Sequence, residues 1–111
     1  MDKQYEVKLT NQAQSQLREV VLYIANTLRS KDTARRTLDV LEEAINSLSY
    51  LPNRYALVDE EPWRSEGVHK MTVKNYLVYY WVDNDAAKVQ VTAVVYARRD
   101  QKRVLSSMNM M

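Results

Sequence analysis

The stretch His69-Lys70-Met71-Thr72-Val73-Lys74-Asn75-Tyr76-Leu77-Val78-Tyr79-Tyr80, followed by Val91-Thr92-Ala93-Val94-Val95-Tyr96-Ala97-Arg98-Arg99-Asp100, decides the fold. Cationic and apolar side chains alternate here at strand spacing, and a basic cluster closes the last apolar run. One sheet face is therefore expected to bury itself while the other meets an anion. The pattern predicts three strands, at about 67–74, 76–83 and 88–96. Asn75 marks the first reversal and Asp83-Asn84-Asp85 the second, because Asn and Asp tolerate turn conformations and bond their own backbone. Such strands pair as antiparallel neighbours.

Working towards the N-terminus, the segment 53–66, with Asp59-Glu60-Glu61 and Pro62, reads as a loop. Pro52 stops the helix before it, since proline lacks the N–H that the next turn needs. That helix carries Ala34, Leu38, Leu41, Ile45 and Leu48 on one face. An earlier one carries Ala13, Leu17, Val20, Val21, Ile24 and Leu28 at steps of three and four. The break Arg29-Ser30-Lys31-Asp32 between them is short, which predicts an antiparallel helical hairpin. Thr10 or Asn11 is placed to cap the first helix. Tyr5-Glu6-Val7-Lys8-Leu9 alternates like a short, half-exposed strand. The expected fold class is α+β: an N-terminal strand and a two-helix hairpin packed on a twisted antiparallel sheet, with a short C-terminal helix from Arg99 to Ser107.

Composition bounds the rest. A chain of 111 residues with 46% hydrophobic content suits one domain over 1–111. There is no cysteine and a single histidine, so neither disulfides nor a thiolate or histidine-rich metal site is expected, and no cofactor. No apolar run approaches the roughly 20 residues that span a bilayer, so no membrane partner and a cytoplasmic location are expected. Residues 1–63 hold eight Lys/Arg against ten Asp/Glu, a net of −2, whereas residues 64–111 hold eight against four, a net of +4. The sheet-forming half is the basic half, suited to phosphate or to an acidic protein surface. No nucleophile triad, glycine-rich phosphate loop or spaced carboxylate pair is present, and lone Gly67 makes no phosphate cradle.

The residues with chemical potential lie on the strands. Period two puts Lys70, Thr72 and Lys74 on one face, with the two ammonium groups roughly 13 Å apart at about 3.3 Å per residue. His69, Met71 and Val73 share the other. Arg98 and Arg99 end the last strand, and a guanidinium makes two parallel bonds to a phosphate and keeps its charge throughout catalysis. Tyr96 precedes Arg98 by two; its phenol either stacks on a base, donates a proton or packs. His69 titrates near neutrality when unperturbed, but its face is that of packed residues. Tyr76, Tyr79, Tyr80 and Trp81 serve either as core and rim or as a stacking platform.

In order and motif, the chain resembles the RelE/ParE superfamily of toxins from bacterial type II toxin–antitoxin pairs. The resemblance rests on Val7-Lys8-Leu9-Thr10, the amphipathic hairpin, Ser47-Leu48 leading to Pro52-Asn53-Arg54, and the strands ending in Arg98. It implies a growth-inhibiting toxin neutralised by a cognate antitoxin that wraps its surface. Toxins similar to RelE cleave messenger RNA on the ribosome through attack of a 2′-hydroxyl on the neighbouring phosphate. Those similar to ParE share the fold and poison DNA gyrase without established active-site chemistry. Carried over to this sequence, the RelE-like set gives Lys70, Lys74 and Arg98, with Tyr96 or His69 as the stand-in for its missing group; the catalytic candidates are thus Lys70, Lys74, Tyr96 and Arg98, and the target-binding candidates Arg99, Tyr76, His69 and Lys102. Tyr76 stands where an arginine is expected, and Val104 where a tyrosine is expected. A ribosome-dependent mRNA endonuclease is narrowly preferred, with a non-enzymatic gyrase inhibitor as the alternative, so the implied target is ribosome and mRNA or DNA gyrase.

Overall fold

A computed structural model describes residues 3–97. Strand β1 (Glu6–Leu9) leads into helix α1 (Asn11–Leu22), whose cap is Thr10: its hydroxyl accepts the Ala13 N–H at 3.1 Å. A π-helical turn, Tyr23–Thr27, follows, and helix α2 (Lys31–Asn46) starts from Ser30, which accepts the Thr33 N–H. Short 3₁₀ turns at Ser47–Ser49 and Pro52–Arg54 precede strands β2 (His69–Val73), β3 (Tyr76–Asp83) and β4 (Lys88–Tyr96). The short C-terminal helix expected after Arg99 falls outside the described residues.

The sheet order is β1-β4-β3-β2. The two hairpins β2–β3 and β3–β4 are antiparallel as expected, but β1 lies parallel to β4, with Glu6 opposite Lys88 and Leu9 opposite Val91. The sheet is therefore mixed rather than wholly antiparallel. Alternation identifies a strand without naming its partner, and here the whole segment between β1 and β4 acts as the crossover that parallel neighbours require. Between Tyr79 and Tyr80 the β3–β4 register shifts, leaving Thr92 as an extra residue whose hydroxyl bonds the Tyr79 carbonyl at 3.2 Å.

Both helices cover one face of the sheet. Ala13, Leu41, Ile45 and Leu48 meet Met71, Val73, Val78, Tyr80, Val89, Val91 and Val94 in the main core. Leu41 is fully buried, so Leu41→Ala would cost about 2–5 kcal/mol. Ile45 is buried as expected, while Leu38 is half-buried at the margin. Leu28 departs from expectation and is 58% exposed. The cause is the π turn, where Leu28 N–H bonds the carbonyl of Tyr23, five residues back, widening the turn and rotating Leu28 off the stripe that strict α-helical spacing assigns to it.

The second sheet face is covered too. Val58 and Trp63, from the segment expected to be a loop, pack with Val68 on Leu77, Tyr79, Ala93 and Val95. The backbone bonds Val58 N–H to Val68 O and Lys70 N–H to Ala56 O clamp this segment along β2. The expectation of one buried and one anion-facing sheet surface is thus corrected: the apolar Val58 and Trp63 in that segment satisfy the apolar residues of the second face locally.

Candidate functional site

Lys70 is half-buried on the second face, directly opposite Tyr79 of β3. Lys74 does not continue its row. It lies in the β2–β3 turn with φ of 54°, in the left-handed region, whereas Asn75 does not. A positive φ at only the first central residue of a two-residue loop is the pattern of a type II′ turn, for which glycine is the usual choice. The strand alternation behind a two-lysine row therefore stops at Val73. Neither lysine has an ion-pair partner among the described residues, where the pairs are Lys8 with Glu6 and Arg64 with Asp59.

Tyr96 is opposite Tyr76 in the β3–β4 register, and the two rings meet edge to face with centroids 5.6 Å apart. Burial, then the neighbouring Tyr96, raises the Tyr76 pKa. Tyr76 packs against the main core, so this pair is on the helix side of the sheet. Lys70 is on the other side. The structure does not bring Lys70 and Tyr96 to one point, since the strand layer separates them. Arg98, Arg99 and Lys102 lie outside the described residues.

His69 is 9% exposed and packs flat on Tyr80. Its Nδ1 is 2.7 Å from the Tyr55 carbonyl, which only accepts, so that nitrogen carries the proton. This is the packed arrangement that its strand face implies. Tyr80 in turn donates its hydroxyl to the Pro52 carbonyl at 2.6 Å, whereas two buried donors, Tyr79 Oη and Trp81 Nε1, have no partner among the described residues.

The segment Pro52-Asn53-Arg54 has a structural explanation. The Arg54 guanidinium donates to the carbonyls of Ser47, Tyr50 and Leu51 and to the Ser47 hydroxyl, and lies over the Tyr55 ring at 4.8 Å. It thereby satisfies carbonyls left open where α2 and its 3₁₀ extension end. Asn53 Nδ2 donates to Asn84 Oδ1, as does the Tyr5 hydroxyl, tying the β3–β4 turn to the residue before β1 and to the 3₁₀ turn that follows α2.

A surface feature escaped the periodicity argument. At the turn that joins the two helices Leu22, Tyr23 and Leu28 are 49%, 56% and 58% exposed. The basic residues beside them, Arg29, Lys31, Arg35 and Arg36, are visible in the sequence, but α-helical spacing hides the exposure of Leu28.

Residues 7–101 match the family model described as the ParE toxin of type II toxin–antitoxin systems. The chain belongs to this family. Two solved structures share the fold. The chromosomal ParDE toxin–antitoxin system from P. aeruginosa gives a TM-score of 0.70 at 17% identity, covering 86% of this chain and 99% of that one. The RelBE2 toxin–antitoxin complex from Mycobacterium tuberculosis gives 0.64 at 20% identity, covering 84% and 98%. At such identities the likeness is one of fold. No curated protein matches the chain. Among the described residues no helix is long and apolar enough to cross a membrane, and no cluster of His, Cys, Asp or Glu is suited to hold a metal.

Proposed function

We propose that this ParE-family toxin arrests growth by binding DNA gyrase rather than by cutting messenger RNA, and that a cognate antitoxin neutralises it. The observation that carries this reading is the separation of Lys70 from Tyr96 by the sheet, taken with the ParE family match over 7–101. General acid–base chemistry at a phosphate needs its groups within hydrogen-bond reach of one another's proton-transfer partners. Lys70 sits on the loop-covered face, Tyr96 with Tyr76 on the helix face, and His69 is occupied by Tyr55 and Tyr80. A binding module asks only for exposed cations and apolar anchors. An antitoxin partner is supported by the two structural relatives, each determined as a toxin–antitoxin system or complex.

Induced expression with parallel readouts tests the proposal. Gyrase-dependent linearisation or relaxation of plasmid, with translation initially intact, is the expected result. Rapid translational arrest with cuts in ribosome-bound mRNA would overturn it.

A further inference from the structure

We draw no further inference here: the strongest candidate, the buried Tyr79 hydroxyl on the second sheet face, unpartnered among the described residues and with Lys70 opposite it, sits under Val58 and Trp63 within the field of the Glu60 carboxylate, so its charges select neither an anion nor a cation and nothing in the structure shows what would occupy it.

Discussion

The imidazole of His69 lies flat against the ring of Tyr80, with centroids 5.1 Å apart and planes 13° from parallel. This contact joins β2 to β3, and the two polar ends of the pair join the sheet to the segment after α2: His69 Nδ1–H to the Tyr55 carbonyl, Tyr80 Oη–H to the Pro52 carbonyl. The sole histidine is thereby spent on architecture.

His69→Ala should therefore cost about 2–3 kcal/mol, from the lost ring contact and the Tyr55 carbonyl left without its donor. His69→Phe keeps the ring and should cost about 1–2 kcal/mol. Urea unfolding measures both. Toxicity should fall only with the folded fraction; a well-folded His69→Phe protein without toxicity would give the imidazole a direct role.

Tyr79 and Tyr80 are adjacent on β3 and both fully buried, yet they should respond oppositely to loss of the hydroxyl. Tyr80→Phe strips the donor from a buried carbonyl and should destabilise by about 1–3 kcal/mol. Tyr79→Phe removes a hydroxyl that has no partner among the described residues and should stabilise by about 0.5–1 kcal/mol. Equal losses in the two variants would mean that the Tyr79 hydroxyl is bonded in solution.

The same phenols set an alkaline limit. Burial, and secondarily the Glu60 carboxylate, pushes Tyr79 up to about 12; burial raises Tyr80 as well, partly offset by the Arg54 guanidinium. The folded chain holds protons that the unfolded chain releases from about pH 10 upward, so stability is full below pH 10 and falls as pH rises towards 12. The expected slope is about 1.4 kcal/mol per pH unit for each phenol. Urea titrations at pH 8, 10 and 11 should show this fall, and Tyr79→Phe should lessen it. A stability independent of pH over that range would contradict the burial argument.

The architecture was legible where local periodicity coincides with tertiary contacts. Thr10 capping α1, the stripe Leu41–Ile45–Leu48 and the antiparallel pairing of both hairpins all follow from side-chain chemistry within a few residues. Pro52 is not the stop expected of it: α2 already ends at Asn46, and Pro52 opens the 3₁₀ turn Pro52–Arg54, where its missing N–H is no loss. Partnership across the chain was not legible. Nothing in Glu6–Leu9 states that it pairs parallel with β4, and nothing in 53–66 states that Val58 and Trp63 seal the second sheet face. The candidate site suffered most, because period-two reasoning extends a face through a turn. At Lys74 one left-handed residue ends that face.

That residue gives a test of its own. Lys74→Gly should stabilise the protein by about 0.5–1 kcal/mol, since glycine takes positive φ without a Cβ clash. Lys74→Asn should stabilise less while also removing the charge. If Lys74 acts only as a turn residue, both variants stay toxic with higher melting temperatures. If both fold and lose toxicity together, the ammonium contacts the target.

Lys70 and Tyr96 separate binding from chemistry. A phosphate held between them in one transition state would make each substitution severe, with Lys70→Ala and Tyr96→Phe each lowering activity by about 10²-fold or more. The observed placement on opposite faces predicts otherwise. Tyr96→Phe keeps the edge contact with Tyr76 and loses only the hydroxyl, so gyrase inhibition should change less than about threefold. Lys70→Ala should weaken association in a salt-dependent way without changing the outcome at saturating toxin. Supercoiling inhibition measured against toxin concentration at two salt levels, alongside mRNA cutting on ribosomes, distinguishes the cases. A folded Tyr96→Phe protein that loses toxicity a hundredfold would show that the two residues meet at one reacting group, and the binding proposal would fall with that result.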